Sequence, residues 1–202
     1  VIIISRTLSD LKKVEKLIFI SSSIYGKPQY NPVNEKHPIM HNNPYTKSKI
    51  LAEELCKIYA KEYGLKIIIL RLANVFGKFQ KGGFLISNLY EALENNKPIK
   101  IINKKSKRDF IFVDDVVDAI LLMIDYECDF EIFNVGSGKS YSFQKILQIF
   151  EKIHDVKLDK LFEENKKEFI PKIELDISKI KQKTKWYPKI SLEEGLKKYY
   201  SN

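Results

Sequence analysis

The fold of this 202-residue chain is decided by the stretch NPYTKSKILAEELCKIYAKEYGLKIIILRL, which runs from Asn43 to Leu72. Asn43 followed by Pro44 is a typical helix start, because asparagine can cap the first turn and proline suits the first helical position. Apolar residues then recur at helical spacing until Gly64, a residue type that commonly ends helices. The run from Leu65 to Leu72 is short, continuous and rich in isoleucine, which is typical of a strand buried on both faces of a parallel sheet. The stretch therefore predicts a helix followed by a central strand.

A second buried strand precedes this helix. The residues KLIFIS, Lys16–Ser21, form another short apolar run, and a polar, proline-containing stretch from Lys27 to Asn43 follows it. That connection is too long for a tight turn, which suggests a functional role. Strand, long loop, helix and strand in this order predict a βαβ unit of a doubly wound α/β sheet.

The alternation of strands and helices continues downstream. The predicted elements are a helix (Phe84–Asn95), a strand (Pro98–Ile102), a strand (Arg108–Val113), a helix (Asp114–Ile124) and a strand (Glu131–Gly136). From Ser140 onward the pattern predicts a helix, two weak strands and two short terminal helices.

Composition places the chain among soluble globular proteins. Apolar residues make up 44% of the chain and aromatic residues 12%, too many for a disordered protein. No apolar run is long enough to span a membrane, so we expect a soluble protein without membrane partners. The two cysteines suggest no disulfide framework, which favours a reducing cytoplasm. The net charge of +9 favours anionic ligands, but basic and aromatic residues do not interleave as in RNA-binding domains, and nucleic acid is not an expected partner. Cys56 and Cys128 show no metal-ligand spacing, so neither a disulfide framework nor a metal site is expected.

Tyr45 and Lys49, at the start of the predicted helix, form a candidate catalytic pair. A free tyrosine titrates at about pH 10 and is a poor base at neutral pH, but a lysine one helical turn away stabilises its phenolate form. Such a pair can take the proton from a sugar hydroxyl while a hydride leaves the same carbon for a nicotinamide ring. A hydroxyl from Ser21 or Ser22, at the strand end, would hold the reacting oxygen. The alternative is an amphipathic helix whose polar residues only face solvent.

Six successive segments resemble the signatures of one protein family. They are LIFISSSIYG, NPYTKSKILAEEL, ILRLANVFG, RDFIFVDDVVDAI, FNVGSGKSYSFQKI and LDISKIKQKTKWYPKISLEEGLKKY, spanning Leu17 to Tyr199. In this order they look like the extended short-chain dehydrogenase/reductases, specifically the NAD-dependent nucleotide-sugar epimerase/dehydratase family. The resemblance implies a partial Rossmann-like parallel sheet with a small C-terminal α+β lobe. It assigns residues 1–76 and 111–136 to the NAD(P)-binding domain, and residues 77–110 and 137–202 to the substrate-binding lobe.

The resemblance also implies a role for each matching residue. Tyr45 would be the catalytic acid/base, and Lys49 would hold the nicotinamide ribose of NAD or NADP and make the tyrosine more acidic. The family's catalytic Ser or Thr usually lies five residues before the glycine of a Tyr-Gly pair, which gives Ser21 when counted back from Gly26. Counted forward from the strand, Ser22 fits better, so Ser21 ranks first and Ser22 stays open.

Three further matches concern the cofactor and the substrate. Ala73 matches the position that touches the nicotinamide end of the cofactor. Asn74 matches the asparagine that contacts the diphosphate of a nucleotide-sugar substrate, and Arg108 matches the arginine that clamps that diphosphate with its planar guanidinium. The alternatives are a turn residue for Asn74 and a solvated turn for Arg108.

Other motifs have simpler explanations. GSGKS, Gly136–Ser140, resembles the end of a phosphate-binding P-loop but lacks the earlier glycine of that motif, so a turn after a strand is expected. His37, His41 and His154 share no spacing and are expected in loops or on a helix surface. Trp186 is expected to pack under the terminal helices.

The chain departs from the family at its beginning. Family members open with a strand, a GxxGxxG turn and a helix that receives the cofactor pyrophosphate, but no glycine precedes Gly26 here. The opening residues 1–16 look like the end of the family's fourth helical segment. We therefore expect about a third of the usual protein, with most of the adenosine-binding half, to be absent from this chain. Such a chain would bind NAD weakly or not at all.

Among the family's reactions the sequence favours epimerisation. Dehydratases carry an Asp-Glu pair after the catalytic Thr, which removes water across two carbons, and Ser22 and Ser23 stand in that place. An epimerase needs no such pair, because the ketone only turns over and takes the hydride back on its other face. A dehydratase, a ketoreductase and a non-catalytic binding fragment are the alternatives. By family analogy, a homodimer would form through the helix that carries Tyr45 and the helix after Gly83.

Overall fold

The computed structural model describes residues 14–40, 43–165 and 169–199. In these ranges, one or two strands precede each of the first five helices, and a sixth helix follows the fifth. The strands are β1 (Lys16–Ser22), β2 (Lys66–Leu72), β3 (Asn74–Phe76), β4 (Ile99–Ile102), β5 (Lys107–Phe112), β6 (Phe130–Val135), β7 (Ser140–Ser142), β8 (Lys160–Glu163) and β9 (Lys172–Ile173). The helices are α1 (Pro44–Tyr63), α2 (Leu85–Asn95), α3 (Val113–Asp125), α4 (Phe143–His154), α5 (Ser178–Thr184) and α6 (Leu192–Lys198).

One part of the fold is a three-stranded parallel sheet with the order β1-β2-β6, to which both the beginning and the middle of the chain contribute. β2 is the central strand, and its residues Ile67–Leu70 are completely buried, which is why the run reads as continuously apolar. β1 forms one side of this sheet and pairs in register with β2, Ile18 opposite Ile68. The predicted α/β fold with parallel strands is confirmed.

The ends of α1 follow the sequence signals. The Asn43 side chain accepts a hydrogen bond of 2.8 Å from the Thr46 N–H, and Pro44 is the first helical residue. Gly64 ends the helix in the left-handed conformation with φ of 66°, and its N–H donates to the Ala60 carbonyl. These contacts fix where α1 begins and where it ends.

The remaining six strands form the other part of the fold. β5 lies parallel to β3 and β9 and antiparallel to β7, while β4 and β8 form a separate parallel pair. The weak strands and short helices expected after Ser140 are present as β8, β9, α5 and α6. β3 and β7 were not expected, because a three-residue strand is too short to show an alternating pattern. Residues 1–16, which were expected to resemble the end of the family's fourth helical segment, lie mainly outside the described ranges.

Two aromatic rings of the core, those of Phe76 and Phe112, pack around Gly195. Phe76 packs edge to face against Phe112, with ring centroids 5.4 Å apart. A Cβ at Gly195 would lie 2.7 Å from the Phe76 ring and 2.9 Å from the Phe112 ring. Gly195 therefore allows α6 to approach these rings. Trp186 is 6% exposed and packs in a cluster with Ile180 of α5, as expected.

The histidines differ in part from expectation. His37 lies in a loop, but it is buried, and its Nε2 accepts a 3.0 Å hydrogen bond from the Gln29 N–H. His154 ends α4, and its ring lies 4.5 Å from that of Phe150. His41 is outside the described ranges. Cys56 is buried and Cys128 is half-buried, and both are free thiols.

The described ranges contain neither a membrane-spanning helix nor a cluster of metal ligands. None of their helices is long and apolar enough to cross a lipid bilayer. They also contain no cluster of three or more His, Cys, Asp or Glu side chains that could hold a metal ion.

Candidate active site

One face of α1 carries Tyr45, Lys49 and Glu53, which are spaced four residues apart. Tyr45 is 58% exposed, Lys49 is half-buried and Glu53 is only 5% exposed. The face therefore leads from solvent at the first turn into the interior. Within the described ranges, the Tyr45 hydroxyl has no hydrogen-bond partner, so it is free to contact a ligand.

Lys49 is held against the end of β1. Its Nζ donates a 2.9 Å hydrogen bond to the Ile20 carbonyl and lies 5.2 Å from the centre of the Phe19 ring. The strand passes directly from Ile20 into Ser21 and Ser22. The fold thus brings the lysine of the predicted pair to the strand end that carries the candidate serines.

The two candidate serines have different environments. Ser21 is 4% exposed, and its hydroxyl donates a 2.5 Å hydrogen bond to Glu53 Oε1. Ser22 is half-buried, and successive side chains of a strand point to opposite faces. The Ser22 hydroxyl has no partner among the residues that the structure describes. This geometry favours Ser22 over Ser21 as the substrate-contacting hydroxyl, the reverse of the order obtained by counting back from Gly26.

A buried ion pair lies behind Ser21. Arg71 Nη2 is 2.6 Å from Glu53 Oε2, and the two side chains are 3% and 6% exposed. Arg71 Nη1 also donates to the Tyr25 hydroxyl at 3.3 Å, which in turn donates to Asn134 Oδ1 at 2.5 Å. Burial raises the pKa of Tyr25 to about 12, although the Arg71 charge opposes this shift. The network ties α1 to β1, β2 and β6.

This network was missed by sequence reasoning, although the chain carried a signal for it. Arg71 is a charged residue within the apolar run of β2, where an unpaired charge would be costly. Glu53 lies one turn after Lys49 on the same helical face. A buried charge in a strand and an acid on the neighbouring helix together indicate an ion pair.

Asn74 and Arg108 are brought into neighbouring strands. Asn74 starts β3 with an exposed side chain, whose Nδ2 donates to the Asp109 carbonyl at 2.8 Å. Arg108 lies in β5, which pairs with β3, and its Nη1 donates to the Ile170 carbonyl at 2.9 Å. Burial lowers the pKa of the Arg108 guanidinium, which still remains cationic at neutral pH.

Ala73 lies at the carboxyl end of β2 and is 7% exposed. Its N–H donates to the Val135 carbonyl at 2.8 Å, so the ends of β2 and β6 lie side by side. Ligands of open α/β sheets bind at the carboxyl ends of the strands. Ala73 and Ser22 are at such ends, and Lys49 lies beside the same edge. These residues fit the nicotinamide end of a dinucleotide, whereas a glycine-rich turn for its pyrophosphate is not in this sequence.

The GSGKS loop after β6 already holds an anionic group. The Asp109 carboxylate accepts from the Ser137 N–H at 2.8 Å and from the Gly138 N–H at 3.1 Å. Burial raises the pKa of Asp109 to about 6, while these donors and the Leu175 N–H hold it down. The expectation of a turn after a strand is confirmed, and the amide groups that suggested phosphate binding face an internal carboxylate.

Comparison with known proteins gives one family. Residues 4–136 match the family model described as the NAD dependent epimerase/dehydratase family. A dTDP-4-dehydro-6-deoxyglucose reductase of Escherichia coli is 33% identical over 201 residues, which cover 91% of this chain and 60% of the relative. The chain thus spans about three fifths of the length of the curated relatives that it matches.

Solved structures agree with the fold. The UDP-glucose 4-epimerase of Thermotoga maritima with UDP-glucose gives a TM-score of 0.89 at 31% identity, covering 98% of this chain and 65% of that one. The UDP-glucuronic acid 4-epimerase of Bacillus cereus, in complex with UDP-glucuronic acid and NAD, gives a TM-score of 0.91 at 26% identity with the same coverage. The chain therefore has the fold of the matching part of these proteins.

Proposed function

Because this chain belongs to the NAD-dependent epimerase/dehydratase family, we propose that it provides the catalytic and substrate-binding part of a nucleotide-sugar epimerase. The observation that carries the proposal is the contact between Lys49 Nζ and the Ile20 carbonyl. This contact holds Lys49 beside the strand end that carries Ser22, and Tyr45 lies one helical turn earlier on α1 with an exposed side chain. It supports a site in which an acid/base, a cation and a hydroxyl act together at the ligand-binding edge of a parallel sheet.

Each residue has a defined part in the proposed reaction. Tyr45 takes the proton from a sugar hydroxyl and later returns it, and the Lys49 ammonium stabilises the phenolate. Ser22 holds the reacting oxygen by a hydrogen bond. Bound NAD or NADP supplies a nicotinamide that accepts the hydride and gives it back. Tyr45, Lys49 and Ala73 are the residues that would hold its nicotinamide end.

The substrate that fits this site is a nucleoside-diphosphate sugar. Arg108 has a cationic guanidinium whose Nη1 donates to the Lys107 and Ile170 carbonyls, which leaves Nη2 and Nε for a diphosphate. Asn74 offers an exposed amide from the neighbouring strand. The solved relatives named above carry UDP-glucose and UDP-glucuronic acid, which are substrates of this class.

A ketoreductase is the second candidate. The E. coli reductase at 33% identity supports it, and a reductase likewise needs no Asp-Glu pair after the catalytic hydroxyl. The two functions differ in the fate of the cofactor. An epimerase returns the hydride to the same sugar, whereas a reductase consumes one NAD(P)H for each product.

The first experiment tests catalysis. The chain is incubated with excess NAD and with UDP-glucose or UDP-glucuronic acid, and sugar products are separated by chromatography. We expect the 4-epimer to form without net change in NADH absorbance, and Tyr45→Phe to lower the rate by at least about 100-fold. Equal turnover by Tyr45→Phe would exclude the catalytic assignment.

The second experiment separates an enzyme from a binding fragment. UDP-sugar affinity is measured by calorimetry for the wild type and for Arg108→Ala and Tyr45→Phe. We expect Arg108→Ala to weaken binding about tenfold or more and Tyr45→Phe to leave binding nearly unchanged. Binding without turnover in the presence of excess NAD would support the fragment, and net consumption of NADPH with a 4-keto sugar would support the reductase.

We also propose that the protein is cytoplasmic and forms a homodimer through α1. Leu51 and Ile58, two turns apart on this helix, are 38% and 50% exposed, which fits an apolar contact surface. Light scattering of the wild type and of a Leu51→Lys, Ile58→Lys double variant tests this. A dimer that persists in the double variant would place the interface elsewhere.

A further inference from the structure

A cavity of about 540 Å³ lies in the C-terminal half, between the loop after β6 and the segment that joins α5 to α6. Its lining includes none of the candidate active-site residues, which are Ser21, Ser22, Tyr45, Lys49, Ala73, Asn74 and Arg108. Its volume falls within the range of about 300 to 1,000 Å³ that is usual for small-molecule sites. The cavity is therefore large enough for a metabolite.

The charges around this cavity are all of one sign. Its lining includes Lys139, Lys181, Lys185 and Lys189 and no acidic side chain. Lys189 is paired outside the cavity, with its Nζ 2.7 Å from Asp118 Oδ2. The other three lysines have no ion-pair partner in the described part of the chain. Three unpaired cations around one cavity favour an anionic occupant.

Aromatic side chains form another part of the wall. Trp186 is 6% exposed, and its indole N–H has no acceptor within residues 14–40, 43–165 and 169–199. Tyr187, the next residue, keeps 58% of its surface exposed at the same cavity. Aromatic faces of this kind stack on planar rings and attract cations or polarised groups. The wall thus offers contacts that a simple inorganic anion would not use.

Lys185 has an unusual backbone conformation for a lysine. It is the C-cap of α5 with φ of 59°, in the left-handed region. Glycine is the residue that normally occupies this position at no steric cost. Here the position carries a side chain that ends in a cation at the cavity, which makes Lys185 a suitable residue to test.

We propose that this cavity is a nucleotide-binding site, distinct from the proposed active site, in which the lysines contact the phosphate and the aromatic wall contacts the base. A nucleotide combines the two features that the wall presents, a phosphate anion and a flat ring. The proposal does not depend on the proposed enzyme activity, because binding alone is tested.

The chain contains a single tryptophan, Trp186, so its fluorescence reports directly on this cavity. AMP, adenosine and inorganic phosphate are titrated separately into the whole chain. We expect saturable quenching by AMP with a dissociation constant below about 1 mM, and at least tenfold weaker binding of adenosine and of phosphate.

Two lysine variants make the test specific. Lys185→Gly removes a cation and also relieves the left-handed backbone, so the variant should fold at least as well as the wild type. We expect it to bind AMP about tenfold more weakly, as for the loss of one charge-assisted contact. Lys183→Gln is the matched control, because Lys183 lies on the same helix, is exposed and does not line the cavity. It should bind AMP as the wild type does.

Several results would overturn the proposal. Absence of AMP quenching would exclude the site, and equal binding of AMP and adenosine would exclude a role for the lysines. Equal binding of phosphate and AMP would exclude the nucleotide in favour of a simple anion. An equal loss of AMP affinity in Lys183→Gln and Lys185→Gly would show that the loss comes from the lower net charge of the protein and not from a contact in the cavity.

Discussion

Among single residues, the candidate site is supported by a buried ion pair between α1 and β2. Glu53 contacts both the Ser21 hydroxyl and the Arg71 guanidinium, and all three side chains are buried. Removing the charge of either Glu53 or Arg71 leaves the other charge buried and unpaired. This costs more stability than the loss of the contact alone.

We expect Glu53→Gln to lower the free energy of unfolding by about 3 to 5 kcal/mol, because it leaves the Arg71 cation unpaired in the interior. Urea denaturation measures the change. Glu62→Gln is the control, since Glu62 forms an ion pair of 3.4 Å with Lys61 in which both side chains are largely exposed. Its unfolding curve should match that of the wild type, and an equal loss in the two variants would contradict the burial argument.

Tyr25 provides a pH-dependent test of the same network. Its pKa is raised from 10.0 to about 12 by burial, so the folded protein keeps a proton that the unfolded chain releases. Its contribution to stability is present below about pH 10 and falls as the pH rises toward about 12, by roughly 2 to 3 kcal/mol in all.

Tyr25→Phe lacks this proton. At neutral pH we expect it to be less stable than the wild type by about 1 to 2 kcal/mol, because its hydrogen bonds are lost. Since only the wild type loses the contribution of Tyr25 at high pH, the difference should shrink between about pH 10 and pH 12. Unfolding in urea at several pH values measures it, and a constant difference would show that the Tyr25 hydroxyl is not protected from ionisation.

The candidate residues could be predicted from the sequence only in part. Tyr45 and Lys49 follow from a spacing of four residues at a helix start, and Lys49 indeed reaches the end of β1. The choice between Ser21 and Ser22 could not be made by counting. It depends on the direction in which each side chain leaves β1, and Ser21 is directed to Glu53 by a contact between residues 32 positions apart.

At the scale of helices and strands, local signals were sufficient for the long elements. α1 begins at Asn43 and Pro44 and ends at Gly64 as its capping residues indicate. The short strands β3 and β7 form because longer neighbours offer them hydrogen bonds, and such pairing leaves no trace in a three-residue window.

Gly195 tests how closely α6 packs. Alanine favours helix over glycine by about 1 kcal/mol, but a Cβ here would lie 2.7 Å from the Phe76 ring, and overpacking costs about 1 to 3 kcal/mol. We therefore expect Gly195→Ala to destabilise the protein despite the better helix former. In a Phe76→Leu background the same change should cost less, since the ring atom that it meets is gone. Thermal unfolding of the wild type, the two single variants and the double variant measures this. If the losses of stability in the single variants add up to the loss in the double variant, the alanine does not clash with the Phe76 ring.

At the scale of the whole molecule, the chain carries the fold of about two thirds of its solved relatives. The sheet offers the nicotinamide end of a dinucleotide a set of fitting residues, while the glycine-rich turn for the pyrophosphate is not in the sequence. Since the pyrophosphate contacts supply a large part of dinucleotide recognition, the two halves of the cofactor should differ in affinity.

We expect this polypeptide to bind NAD only weakly, with a dissociation constant above about 100 µM. Isothermal calorimetry measures it, and Lys49→Met serves to show that any remaining binding occurs at α1. Micromolar binding by the wild type would mean that other residues of this chain hold the pyrophosphate.

The loop of Gly136–Ser140 has a consequence for protein engineering. Its amide groups donate to the Asp109 carboxylate, so the loop is a small carboxylate-binding site that is occupied by a side chain of the same protein. Exchanging Asp109 for alanine would empty this site and leave its N–H donors unsatisfied. Acetate or formate added to the solution should then restore part of the lost stability, which would turn a structural turn into a sensor for small carboxylates.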